Sequence, residues 1–438
     1  MKSVQTVLIL PLLLMSCGSI SFSPSTEPVA AETEIKPPET TQTALNSQFV
    51  EFLLADPEVR QLRLAIDSVE LQKDLLDAQQ EFQVSASSQL GGLQADGTTD
   101  AAAGVELGLT KDADLNGIYA ARLRISEHEK NIAKNAILKK VNDRLFAILS
   151  AQLTQRAMDK KIAIIDEGLT EYEGVRSILD TSRRIGVISK GKFLEIQNQV
   201  AEVKLQKSQF ELQRNTAQET LKIELGSANP EIIRKLRNRS SNLGNVKFSN
   251  SIDAYVEKTN TVSVAILKEK LEIEEKSSRW NGAYAANLTS SHGNSLSGFV
   301  GIRLTKPVYD AGQSAIRSSL IQNQIDQTQL ELSGLKKAVG IAYESLRVAK
   351  ATLDEQLQLN SDKLDNLLEN KRELEIRKDA GKAQLEELAQ SVIDISNAKI
   401  KLIDLTYLFD KSKLDYLLLN QSIYSSVLDD DEILQLLN

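Results

Sequence analysis

Residues 298–306 read Gly-Phe-Val-Gly-Ile-Arg-Leu-Thr-Lys, and residues 105–111 read Val-Glu-Leu-Gly-Leu-Thr-Lys. In the first stretch Gly298, Val300, Ile302 and Leu304 alternate with Phe299, Gly301, Arg303 and Thr305. In the second, Val105, Leu107 and Leu109 alternate with Glu106, Gly108 and Thr110. A period of two gives an extended strand one apolar face and one mostly polar face. Both stretches end on the same triplet, Leu109-Thr110-Lys111 and Leu304-Thr305-Lys306, 195 positions apart.

That offset persists along the chain. Gly117 matches Gly312, Ala120 matches Ala315, Arg122 matches Arg317 and Gly186 matches Gly381; Lys204 and Leu205 match Lys399 and Ile400. The chain therefore holds two copies of one unit. Each copy also has an earlier alternating stretch. Phe82, Val84, Ala86 and Leu90 are interleaved with Gln83, Ser85, Ser87 and Gln89, and Tyr284, Ala286 and Leu288 with Ala285, Asn287 and Thr289. The predicted order in each unit is a helix (58–80, 251–278), two strands (within 82–110 and 284–305) and a long helical hairpin (114–225, 311–424).

Proline placement supports the hairpins. Of eight prolines, none lies between 58 and 229 and none after 307, and proline breaks helix interiors. A helix from 114 to about 185 would hold ~70 residues and rise ~105 Å. Leu353, Leu357, Leu364, Leu367, Leu368 and Leu374 recur at threes and fours, as do Val392, Ile395, Ile400, Leu402, Leu405 and Leu408 on the return. So narrow an apolar seam needs neighbouring helices beside it.

Strands of ~10 residues can cross a bilayer when tilted, with apolar side chains toward lipid and polar ones toward a lumen. Surface hairpins of a soluble protein alternate too, so the strands alone leave both readings open. Four strands cannot enclose a lumen, since about eight are needed merely to pack an interior, and free edges are excluded from lipid. A membrane reading therefore requires an oligomer, and three chains would supply twelve strands. The expected fold is mainly α with a transmembrane β-barrel portion, built from a duplicated unit of two strands and a long helical hairpin.

Residues 1–16 read as an export signal, with Lys2 before an apolar run from Val7 to Leu14 that is too short to span a membrane. The run ends at Leu14-Met15-Ser16-Cys17-Gly18, which resembles a bacterial lipobox and marks Cys17, the sole cysteine, for covalent lipid. The alternative is a plain signal peptide with a chance cysteine. Residues 17–47 are then the lipidated Cys and a tether rich in Ser, Thr, Pro and Glu.

Composition narrows the function. A net charge of −8 argues against a nucleic-acid surface, and 5% aromatic content is sparse for a compact enzyme core. The two histidines, His128 and His292, are far apart, and no phosphate-binding glycine loop or HExxH segment occurs. The expectation is no enzyme, no metal and no cofactor beyond lipid on Cys17.

With these features assembled, the chain resembles the TolC-type outer-membrane factor family from about residue 45 to 425. The closest motif is Lys306-Pro307-Val308-Tyr309-Asp310-Ala311-Gly312-Gln313, similar to that family's strand-to-helix junction. The first copy keeps Gly117 but lacks the proline. The resemblance implies a homotrimer with a twelve-stranded barrel and a periplasmic α-helical tunnel. Its units would be repeat 1 (48–225), an equatorial segment (226–250), repeat 2 (251–424) and an equatorial tail (425–438).

It further implies outer-membrane lipid, a periplasmic adaptor (membrane fusion) protein and, indirectly, an inner-membrane pump as partners, in a tripartite efflux or type I secretion system. Adaptor docking would fall on the hairpin tips, at Arg183, Arg184, Gly186 and Val187 and at Lys378 and Gly381. Tip glycines also have a reading as helix C-caps. The periplasmic gate would lie at Glu386, Glu387 and Gln390, with a Lys192–Glu387 contact as a substitute for the family's usual links; a solvated glutamate pair is the alternative. Two other readings remain: a coiled-coil structural lipoprotein of the envelope and, less well matched, a periplasmic adaptor.

Overall fold

The computed structural model describes residues 48–95, 98–226, 232–234, 236, 253–277, 279–291, 295–306, 310–379 and 385–437. The expectations for residues 1–47, including Cys17, and for His292, Pro307 and Gly381 lie outside the described residues. After a helical turn at 48–54 come α1 (Pro57–Gln79), β1 (Gln83–Ala95), β2 (Thr98–Ala113), α2 (Ile118–Arg184) and α3 (Lys190–Leu225). The second series is α4 (Asp253–Ser277), β3 (Asn281–Ser291), β4 (Ser295–Thr305), α5 (Gln313–Asp379) and α6 (Leu385–Leu419), followed by α7 (Ile423–Val427) and α8 (Asp430–Leu437).

Local chemistry accounts for the helix boundaries. Asp56 caps α1, accepting from the backbone N–H groups of Glu58 (2.9 Å) and Val59 (3.4 Å), with Pro57 in the first turn. Ser189 caps α3 by accepting from the Lys192 N–H at 3.2 Å. Within α2 and α5 no proline interrupts the backbone ladder, and each runs for 67 residues, about 100 Å at helical rise.

Helix α2 is the hub. It packs against α1, α3, α4 and α6; α5 packs against α4 and α6, and α3 also touches α6. Two apolar clusters hold the slab together. Around the middle of α2, Ile137, Leu145, Ile148 and Leu149 are buried against Phe49 and Leu53, Leu414 and Leu417 of α6, and Ile423 and Leu436. Ile232 and Leu236, from the segment between the two copies, join the same cluster. Toward the hairpin tips, Ile165, Tyr172 and Leu179 of α2 pack with Phe193 and Ile196 of α3, Leu374 of α5, and Leu388 and Ile393 of α6. Burying each such side chain contributes roughly 1.5–3 kcal/mol.

The strands form one antiparallel sheet in the order β1-β2-β3-β4. They are longer than the alternation predicts in the first copy, at 13 and 16 residues against 11 and 11 in the second. The extension of β2 runs through Thr98–Gly104, Thr-Thr-Asp-Ala-Ala-Ala-Gly, which has no large apolar residue to set one face against the other. A single chain thus presents an open sheet with β1 and β4 at its edges.

Candidate functional site

The sheet register sorts the strand residues by chemistry. Val84, Leu109, Ala286 and Val300 lie side by side across the four strands, and Ala86, Leu107, Leu288 and Gly298 form the next row on that face. The opposite face has the rows Ser85-Gly108-Asn287-Phe299 and Ser87-Glu106-Thr289-Ser297. There the Asn287 amide donates to Glu106 Oε1 at 3.0 Å. Phe299 is the apolar exception on the polar face, its ring covering Gly301. On the apolar face Val84, Leu107, Val300, Ile302 and Leu304 are all exposed in the single chain.

Both strand-to-helix junctions turn on left-handed backbone. In the second copy Ala311 (φ 52°) and Gly312 (φ 78°) lie in that region. Asp310 holds the turn, accepting from the Gly312 N–H and the Ser314 N–H, each at 3.0 Å. These two bonds, first from Ser314 and then from Gly312, hold its carboxyl below the ordinary carboxylate range. In the first copy Gly117 adopts φ 67°, and the side chain of Asn116 takes over the tie by donating to the Trp280 carbonyl at 2.8 Å. Asp310, Gly312 and Gly117 therefore have a shared geometric task.

At the first tip Gly186 has φ 77°. The Val187 N–H donates to the Ser182 carbonyl (2.9 Å) and the Gly186 N–H to the Arg183 carbonyl (3.1 Å), the pattern of a Schellman C-cap. Gly186 thus has a local structural reason independent of any partner. Ile185 and Val187 are each 71% exposed, Arg184 is exposed, and Arg183 is half-buried with its guanidinium over the Phe193 ring at 4.9 Å. Arg183 also lies 3.8 Å from Asp180, one turn back on its own helix. Ile185 was not singled out from sequence; an apolar residue in a helix-ending turn was the available signal.

At the second tip Lys378 is exposed in the last turn of α5. Glu386 and Glu387 occupy the first turn of α6, where helix N-terminal partial charge favours carboxylates. Glu387 is exposed, Glu386 less so. The Gln390 amide donates to Asp394 Oδ1 at 3.0 Å. The expected Lys192–Glu387 contact does not form: Lys192 Nζ pairs with Glu195 at 3.0 Å, one turn along its own helix. A local partner three residues away is reached with less side-chain ordering than one on another hairpin.

The two hairpins are instead joined higher up. Lys371 of α5 pairs with Glu171 of α2, and Lys399 of α6 reaches Glu167 of α2 at 3.3 Å. Within the first hairpin, Lys207 of α3 pairs with Asp166 of α2 at 2.6 Å. Lys161, buried on α2, pairs with Asp404 of α6 and sits 4.5 Å over the Phe210 ring of α3. Sequence reading missed these links, which join segments up to about 240 residues apart.

The slab leaves apolar side chains uncovered along both flanks. Leu64, Leu71 and Leu75 of α1, and Leu205 and Leu212 of α3, are exposed at spacings of seven and four. On α5, Ile316, Leu320, Leu330, Ile341 and Val348 are likewise exposed. Among the described residues no group of side chains could hold a metal ion, and no helix is long and apolar enough to cross a membrane.

No family model matches the sequence, and the comparison with curated proteins found no match. Solved structures do match by shape. The Campylobacter jejuni CmeC outer membrane channel has 13% identity and a TM-score of 0.63, over 92% of this chain and 94% of that one. The outer membrane protein VceC of Vibrio cholerae has 10% identity and a TM-score of 0.66, over 86% and 96%. The Neisseria gonorrhoeae MtrE outer membrane channel, in its open state, has 14% identity and a TM-score of 0.63, over 86% and 88%. The chain has the fold of these outer-membrane channels.

Proposed function

We propose that this chain is the outer-membrane channel subunit of a tripartite efflux or type I secretion system, a passive trimeric conduit anchored by lipid. The observation that carries this reading is the open four-stranded sheet, apolar on one face and polar on the other, set at one end of two ~100 Å helical hairpins. Exposed valines, leucines and isoleucines on that face suit hydrocarbon, and unpaired edges in lipid demand sister chains. Three copies give a wall of twelve strands, and the uncovered leucines of α1, α3 and α5 supply the helix contacts between protomers. A coiled-coil envelope lipoprotein would leave the two-faced sheet without a role.

Lipidation at Cys17 is part of the proposal, carried by the Leu14-Met15-Ser16-Cys17-Gly18 motif.

The tips are proposed to receive a periplasmic adaptor protein, with Arg184, Ile185 and Val187 as the exposed contacts of the first hairpin. Closure is assigned to the second hairpin lying against α2 through Lys371–Glu171 and Lys399–Glu167, with Glu386 and Glu387 at the mouth. The chain performs no chemistry; a pump elsewhere supplies the energy.

The test is native mass spectrometry of the detergent-extracted protein together with conductance in planar bilayers. A trimer that conducts supports the reading. A monomer, or a trimer with no conductance under any voltage, overturns it.

A further inference from the structure

The two copies repeat an arrangement at the base of the sheet that neither the helices nor a lumen uses. Immediately before the first strand of each hairpin stands an aromatic residue, Phe82 before β1 and Trp280 before β3. The lysine of each Leu-Thr-Lys triplet sits above it, Lys111 Nζ 5.1 Å from the Phe82 ring centroid and Lys306 Nζ 5.9 Å from that of Trp280. Both rings are more than half exposed. Continued one residue past the ladder ends Gln83–Thr110 and Asn281–Thr305, the strand alternation puts all four side chains on the apolar face: Phe82 and Lys111 follow Val84 and Leu109, and Trp280 and Lys306 follow Gly282 and Leu304. Among the described residues neither lysine has a carboxylate within ion-pair distance.

The arrangement is unusual for two reasons. A cation on the face that carries valine, leucine and isoleucine is costly to bury in hydrocarbon, so these two lysines mark where the apolar band ends. Their partner rings are of the kind that settles at the headgroup level. The pairs are also staggered. Lys111 lies opposite Tyr284, four residues past Trp280 on the neighbouring strand, a displacement of ~13 Å along the strand. Strands tilted by ~35–45° need a stagger between neighbours if equivalent residues are to share one height.

We propose that the Lys111–Phe82 and Lys306–Trp280 pairs are binding sites for the phosphate of a phospholipid headgroup at the periplasmic edge of the membrane. This rests on the reading of the apolar face as lipid-facing. Each ammonium keeps its charge in the headgroup layer and meets an anionic phosphate oxygen, while the aliphatic stem and the ring cover the glycerol and first methylenes. Charge complementarity selects the occupant: the rim offers cations with no carboxylate partner among the described residues, and the phosphate is the fixed anion that a phospholipid leaflet presents at that depth. The pairs thereby fix how deep the wall sits.

Trp280 is the only tryptophan in the chain, so its fluorescence reports this site alone. The full-length protein is reconstituted into phosphatidylethanolamine–phosphatidylglycerol vesicles whose acyl chains are brominated near the ester or near the methyl end. Expected is quenching several-fold stronger by bromine near the ester end, unchanged by added inorganic phosphate. Native mass spectrometry of the K111Q/K306Q double variant should show several-fold fewer retained phospholipids, with conductance intact and retention restored by K111R/K306R. Conducting channels whose Trp280 is quenched by neither lipid overturn the inference and leave the channel reading standing. Undiminished phospholipid retention in the double variant also overturns it. Loss of both conductance and quenching in the unmodified protein overturns both readings.

Discussion

The carboxamide oxygen of Asn142, in the middle of α2, accepts a hydrogen bond at 2.9 Å from the backbone N–H of Tyr424, in α7. Asn142 is 0% exposed, and its amide group donates to Gln421 Oε1 at 2.9 Å. One buried side chain thus pins the tail that follows the second hairpin onto the first copy. Asn142→Leu leaves the Tyr424 N–H without that acceptor, and such a loss costs about 1–3 kcal/mol. The expected outcome is a lower thermal midpoint with faster proteolysis within 420–437; an unchanged cleavage pattern would remove Asn142 from this role.

Breaking the link between hairpins should ease opening. Lys371 is 19% exposed where it meets Glu171, so the pair is screened less than a surface one. Glu171→Lys is expected to raise single-channel open probability several-fold. The exchanged pair, Glu171→Lys with Lys371→Glu, should return it toward the original value. If both variants conduct alike, the ion pair does not hold the mouth.

The uncovered flank of α5 makes a separate prediction. An Ile341→Asp or Leu330→Asp change puts a charge where a neighbouring protomer's helix is proposed to lie, removing about 1.5–3 kcal/mol of burial per side chain and adding desolvation cost. Native mass spectra should shift from trimer toward monomer. The same change at exposed, polar Gln358 should leave the trimer intact.

Acid sensitivity is expected at the second junction. Because the two backbone N–H groups lower the pKa of Asp310 in the folded chain, its contribution is present above the ordinary carboxylate value of ~4. It is lost as pH falls through the lower folded value. Asp310→Ala should therefore lower stability at pH 7 and flatten its dependence on pH below ~4. A titration of the unfolding midpoint that overlays the unsubstituted protein at all pH values would contradict the assignment.

Much of the architecture was legible because it is written in local periodicity. The alternation at Val105–Leu109 and Gly298–Leu304, the Leu-Thr-Lys offset and the proline-free stretches each point to an element that the structure contains. What stayed hidden depends on which distant segments meet. Lys371 and Glu171 lie on different copies, and nothing in either neighbourhood marks them as partners. Lys192 shows the converse, since its glutamate was one helical turn away rather than on the other hairpin. At the base of the sheet both members of each cation–ring pair were visible as residues, but only strand register reveals that they share a face.

The bare edges of β1 and β4 also constrain how the protein is made. A lone chain with its sheet formed offers two rows of free backbone donors and acceptors, which invite indiscriminate pairing with any extended polypeptide nearby. The helices can fold early from contacts close in sequence, whereas the sheet must wait for companions. On the trimeric reading proposed above, assembly is therefore ordered: the helices fold first, and the wall is completed only when sister chains meet.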